Sequence, residues 1–150
     1  MRTVLRSLTG LAALLWGASA LAQVPPTAMA TFSFAERPNV PPLLLKEIEH
    51  RERLSVFEAS GPAYTRPQAM FVLCSFARFA EHRGYSHIAV MQPAKGQDNY
   101  VLGLFNADSD DLAAVFGKEL DPKRILGDKP GAVAKLLPLC PAKTAKPSGE

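Results

Sequence analysis

The sequence predicts an α+β domain in which a small, mostly antiparallel sheet is covered by one central helix and followed by short helices. Three observations support this: a capped amphipathic run from Thr65 to Arg83, two strand-like segments behind the glycine stop at Gly84, and a series of aspartate-led helix starts after residue 107.

The central helix is the most strongly marked element. Thr65-Arg66-Pro67-Gln68 fits a capping box, in which the threonine oxygen accepts an orphan backbone N–H and the glutamine side chain reaches back to the cap. Proline in the first turn costs no intrahelical bond. Ala69, Val72, Leu73, Phe76, Phe79 and Ala80 recur at the spacing of one helical face, with Ser75, Arg78 and His82 opposite. Gly84 supplies the left-handed residue that ends such a helix. Tyr85 to Gln92 and Tyr100 to Phe105 are rich in β-branched and aromatic residues, and the polar loop between them predicts a hairpin.

Before the helix, Arg53 to Ala59 reads as a strand stopped by Gly61-Pro62, and Thr31 to Glu36 as a short one. Leu43 to Arg51 sets Leu44, Leu45 and Ile48 against Lys46, Glu47, Glu49 and His50, which predicts about two turns of helix. The Arg53–Ala59 strand, the central helix and the hairpin give a strand, helix, strand, strand unit. After the hairpin, Asp108-Ser109-Asp110-Asp111 precedes Leu112, Val115 and Phe116 as a capped helix start. Asp121-Pro122 opens a shorter turn that Gly127 closes. Asp128-Lys129-Pro130 opens a last helical piece with Val133, Leu136 and Leu137 apolar.

The ends of the chain bound its location. Arg2 and Arg6, the apolar run Leu8 to Trp16 and the small-x-small triplet Ala20-Leu21-Ala22 form a secretory signal peptide over residues 1–22, with cleavage expected before Gln23. An uncleaved anchor, giving a membrane-tethered envelope accessory protein, is the competing reading. The apolar run is too short for a permanent span. Residues 23–30 are expected to be a flexible arm, 31–140 a single domain, and 141–150 a disordered tail rich in Ala, Lys, Pro, Ser and Gly. Removing the leader leaves 128 of 150 residues and lowers the formal charge from +3 to +1. The precursor's pI of about 9.0 therefore does not imply a nucleic-acid partner.

The two cysteines, Cys74 and Cys140, would meet an oxidising compartment in an exported protein. Cys74 falls roughly 160° from the centre of the apolar face, on a flank of the helix. Cys140 lies in Pro138-Leu139-Cys140-Pro141, which is expected to be extended. A disulfide strapping the C-terminal segment across the helix is the economical account, stabilising the fold by about 4 kcal/mol on chain-entropy grounds. Two reduced thiols are the alternative.

Arg53-Leu54-Ser55-Val56-Phe57, then Gly61, Thr65, Leu73, Ala77 and Gly84-Tyr85 with a hydrophobic strand after it, resembles a pattern in small exported lipoprotein-like bacterial proteins of unknown function. The resemblance spans about a quarter of the chain, and the family's lipid-attachment cysteine is missing at Gln23. It implies an envelope-associated α+β domain and brings no catalytic residues.

No catalytic signature stands out. Cys74 and His82 are about two helical turns apart and cannot meet directly, so a thiol–imidazole pair with His82 or His87 is disfavoured. His50, His82 and His87 lack metal-ligand spacing, and the aspartates at 108, 110 and 111 lack the glycine of a calcium loop. No metal and no cofactor is expected. The reading is a periplasmic or secreted non-enzymatic binding or structural module. Its partner is an unknown envelope protein or small ligand, not nucleic acid, and the expected surface is the hairpin residues Tyr85, His87, Lys95, Asn99 and Tyr100. A small enzyme using Cys74 or a histidine is the alternative.

Overall fold

The computed structural model describes residues 29–34, 42–63 and 65–141. The expected signal peptide, most of the expected arm and the tail beyond residue 141 lie outside them.

Helices and an antiparallel sheet are both present, as the α+β expectation requires. The strands are β1 (Thr31–Phe34), β2 (Leu43–Arg51), β3 (Leu54–Ala59), β4 (His87–Met91), β5 (Asn99–Phe105) and β6 (Gly131–Ala132); the helices are α1 (Arg66–His82), α2 (Leu112–Phe116) and α3 (Val133–Leu136). Short 3₁₀ turns follow α2 at Gly117–Glu119 and α3 at Leu137–Leu139. The order across the sheet is β1-β2-β3-β5-β4-β6, every pairing antiparallel. Because β5 lies between β3 and β4, the β3–α1–β4 connection joins two parallel strands that never touch.

The helix predicted over Leu43–Arg51 is instead strand β2. Its side chains alternate, with Leu43, Leu45 and Glu47 buried and Leu44, Lys46 and Ile48 exposed, which is the period of a strand. The register then slips between Glu47 and Glu49, a bulge that turns the following residues over.

Helix α1 starts as predicted. Thr65 Oγ1 accepts from the Gln68 N–H, and Gln68 Oε1 accepts from the Thr65 N–H. It ends with Gly84 at φ 80°, where the Gly84 N–H bonds Glu81 O and the Tyr85 N–H bonds Ala80 O, satisfying carbonyls that would otherwise be orphaned. Its burial departs from a single face. Val72, Phe76, Phe79 and Ala80 are buried, but so are Phe71, Cys74 and Ser75, while Ala69 is exposed. The helix is covered on two sides, by the sheet and by the chain around α3.

Two apolar clusters sit on opposite faces of the sheet. On one, Phe57 packs against Phe76 and Phe79, ring centroids 5.0 and 5.2 Å away, joined by Phe32, Leu45, Val90, Leu102 and Leu104. Each fully buried ring or aliphatic contributes roughly 1.5–3 kcal/mol relative to exposure. On the other, Phe116 of α2 covers Leu54, Val56, Ala89, Met91, Val101 and Phe105. Gly103 makes this approach possible, since a Cβ there would lie 2.7 Å from a Phe105 ring carbon and 2.8 Å from one of Phe116.

Of the aspartates before α2, Asp111 alone caps the helix among the described hydrogen bonds, while Asp110 holds the preceding turn and Asp108 faces Lys129. Asp111 caps the helix, its Oδ1 accepting from the Ala113 N–H, and Asp110 Oδ2 accepts from the Asn106 and Ala107 N–H groups. The outer edge of β4 is shielded by the two residues of β6 and by the Met91–Ile125 bridge, which leaves little of that edge open for pairing with another chain.

Candidate functional site

The five hairpin residues do not form one surface. The register pairs His87 with Phe105 and Met91 with Val101, so His87 lies at the end of the hairpin remote from the 92–98 loop. Lys95 is exposed in that loop and Asn99 is half-buried beside it. Tyr85 is at the far end, its hydroxyl donating to Glu52 O at 3.1 Å. Ser86 Oγ donates to Asn106 O at 2.7 Å, so His87 must present Nδ1–H to Ser86 Oγ at 2.9 Å. Tyr100 is buried edge-on to Phe76, and burial, then the charge of Asp98, pushes its phenol up from the ordinary range.

Cys74 and Cys140 come together at disulfide distance, with Cα atoms 5.7 Å apart. Cys74 is 1% exposed and Cys140 half-buried. The segment carrying Cys140 is not extended throughout: Leu137–Leu139 forms a 3₁₀ turn and only Cys140 is extended. A bonded sulfur is no nucleophile, so a Cys74 enzyme would need the thiol freed. His82 is exposed at the end of α1.

The constellation that sequence reasoning missed lies where β2 and β3 meet the end of α1. The bulge in β2 brings His50 opposite Ser55, on the same side of the sheet as Glu47, which pairs with Phe57. Arg83, the C-cap residue of α1, reaches over both, its guanidinium 4.8 Å above the Phe79 ring. The Glu47 side chain is 0% exposed and that of Arg83 15%. Glu47 Oε2 accepts from the Ala30 N–H at 3.1 Å and lies 3.7 Å from an Arg83 nitrogen. Glu47 Oε1 is 3.2 Å from His50 Nδ1 but has no well-aligned hydrogen bond. Ala30, expected at the end of a loose arm, is thus bound to β2 through both its N–H and its carbonyl.

Ser55, His50 and Glu47 are the residue types of a hydrolytic triad, but their arrangement is wrong for one. A triad needs the serine on one ring nitrogen and the carboxylate on the other. Here both oxygens face Nδ1, with Ser55 Oγ at 3.1 Å, and Arg83 sits on Nε2 at 2.8 Å. A guanidinium only donates, so Nε2 must accept and Nδ1 must carry the proton. The ring therefore has no free basic nitrogen to offer Ser55. The sequence signal was the alternation Leu43, Leu45, Glu47, hidden because its third inward member is a carboxylate.

Known protein families, characterised proteins and solved structures give no match to this chain. The site must therefore be judged on its own geometry.

Two surface recesses lie among the described residues. An apolar groove of about 300 Å³ lies between the first turn of α1, the end of β1 and the C-terminal segment, lined by Phe34, Met70, Phe71, Leu139 and Pro141, with Arg66 as the one charged group among the described residues. An acidic recess gathers Asp108, Asp110, Asp111 and Asp128, yet Asp110 and Asp111 already serve backbone N–H groups and Asp108 is 3.4 Å from Lys129. Among the described residues no three metal-ligating side chains converge.

Proposed function

We propose that the chain is an exported, non-catalytic binding or structural module of the cell envelope, an α+β domain organised around α1 and strapped by Cys74–Cys140. The observation that carries this reading is that the groups best suited to chemistry are spent internally. The cysteine sulfurs face each other, and His50, flanked by Ser55 and Glu47, has both ring nitrogens engaged. The signal-peptide pattern at residues 1–22 supports export, as does the resemblance to exported lipoprotein-like proteins. No helix among the described residues is long and apolar enough to cross a membrane. The partner-facing part is the hairpin tip, with Lys95 exposed and Asn99 beside it.

The test is capture from a solubilised envelope fraction with a photo-crosslinker at Gln97, exposed in the same loop, alongside N-terminal sequencing and intact-mass measurement of the exported chain. The reading expects a chain beginning at Gln23, two hydrogens lighter than its reduced form, and a crosslinked partner lost on Lys95→Glu with Asn99→Ala. Two thiols that react with iodoacetamide in the folded, exported protein would instead revive the enzyme.

A further inference from the structure

The C-terminal segment divides into a part anchored in the fold and a part held chiefly by sulfur. Gly131 and Ala132 pair with β4, the Val133 N–H bonds Ser86 O at 2.9 Å, and the Val133 side chain is buried in the main cluster. Leu136 and Leu137 still pack against that cluster. Beyond them burial fails: Pro138, Leu139 and Pro141 are exposed, Leu139 by 66%. From there the ties include the Cys74–Cys140 link, the Arg78 guanidinium donating to Pro141 O at 2.8 Å at the surface, and the turn bond from the Cys140 N–H to Leu137 O. An exposed hydrogen bond of that kind exchanges readily for one to water.

The two sulfurs are unequally reachable. Cys74 is 1% exposed, whereas Cys140 is partly open to solvent. An attacking thiolate therefore meets Cys140 Sγ first and expels the Cys74 thiolate. Thiol–disulfide exchange depends on this access, and exposed disulfides are the labile ones. Leu139 and Pro141 also form one wall of the apolar groove whose opposite side includes Phe71. Losing that wall opens the groove onto the flank of α1 that carries Cys74.

We propose that residues 138–141 are a redox-releasable strap over the outer flank of α1, and that reduction of Cys74–Cys140 by a dithiol opens the groove and exposes the Cys74 thiol while the sheet stays folded. The exchange balances as follows. The first thiolate of the dithiol forms a mixed disulfide with Cys140 and releases Cys74 as a thiolate, which takes a proton. The second thiol of the reductant then attacks its own partner sulfur, becoming a cyclic disulfide, and Cys140 leaves and is protonated. Two electrons and two protons pass from the dithiol to the protein. This goes beyond the module reading but shares with it the requirement that the exported chain carries the bond.

The experiment treats the exported protein with dithiothreitol at neutral pH without denaturant. It follows iodoacetamide labelling of each cysteine by peptide mass spectrometry and amide hydrogen exchange across the chain. The expected result is labelling of Cys74 without urea, exchange at Leu139 and Cys140 faster by about tenfold or more, and unchanged protection in β3, β5 and β4. Arg78→Ala should speed reduction several-fold by removing the surface hydrogen bond to Pro141 O. Labelling of Cys74 only at the rate of global unfolding, or loss of β5 protection together with the strap, overturns the proposal. Cys140→Ser gives a second reading: a folded variant with native exchange in the sheet supports it, and a variant that does not fold overturns it. A chain isolated with two free thiols defeats this proposal and the module reading together, whereas a bonded chain that cannot open locally defeats this proposal alone.

Discussion

The Glu47–Arg83 pair makes a sharp test of the buried network, because its two members differ in their access to water. Replacing Arg83 with methionine keeps the stem over Phe79 but leaves the Glu47 carboxylate, which is 0% exposed, without its cation. Breaking a buried pair by removing one partner costs about 3–5 kcal/mol. The low end, about 3 kcal/mol, applies here because the Ala30 N–H and His50 Nδ1 still face the carboxylate. Glu47→Gln is milder. Arg83 is 15% exposed, so its guanidinium can turn to solvent, and the amide retains a hydrogen-bonding oxygen for Ala30. That variant should lose about 1 kcal/mol, the scale of one hydrogen bond. The double variant should lose less than the sum of the two by about 1–2 kcal/mol, as contacting residues couple. Urea unfolding at pH 7 with the disulfide intact measures all four proteins, provided the slopes agree. The reasoning is refuted if Arg83→Met costs no more than Glu47→Gln, or if the two effects simply add.

Three further outcomes follow from single positions. Gly103→Ala should destabilise by about 1–3 kcal/mol, because the added carbon collides with the Phe105 and Phe116 rings and α2 must lift; near-ultraviolet circular dichroism and thermal unfolding will register it. Thr65→Ala should cost about 1 kcal/mol in urea unfolding by removing half of the capping box, while Thr65→Ser should cost a fraction of that. Asp110 is held below the ordinary carboxylate range by the Asn106 N–H first, with the Ala107 N–H and Arg53 adding to it. A depressed folded-state value means that its stabilisation is present above the unfolded carboxylate pKa of about 3.9 and is lost as pH falls through the folded value. Asp110→Asn should therefore flatten the acid limb of the stability profile below about pH 4 and leave its shape above pH 5 unchanged.

The elements written locally were legible. Thr65 and Gln68 spell a cap whose two hydrogen bonds form as drawn, Gly84 ends the helix with a positive φ, and the hairpin strands carry their own composition. Cys74 was placed on a flank, and the segment that closes over it was identified from the other cysteine. What failed was anything decided by a partner distant in sequence. Leu44, Leu45 and Ile48 satisfy a helical stripe as well as a strand, and only pairing with β1 and β3 makes Leu43, Leu45 and Glu47 the inward set. With β2 misread, Glu47 and His50 looked like a solvated face, and the cluster they form with Ser55 and Arg83 stayed hidden. The burial of Phe71 and Ser75 was missed for a related reason, since a periodicity analysis assumes one covered face and α1 has two. The hairpin residues were grouped by nearness in sequence, whereas antiparallel pairing sends His87 and Lys95 to opposite ends.

The position of β5 has a consequence for how the chain is made. β3 and β4 both bond to it and not to each other, yet it is the last of the three to leave the ribosome, and Leu54 must wait for Gly103. Until then each has an inner edge of unpaired amides, and closing the pair spans a loop long enough to be slow. A nascent chain stalled before Asn99 can make α1 and pair β1, β2 and β3, but it lacks the strand that joins β3 to β4.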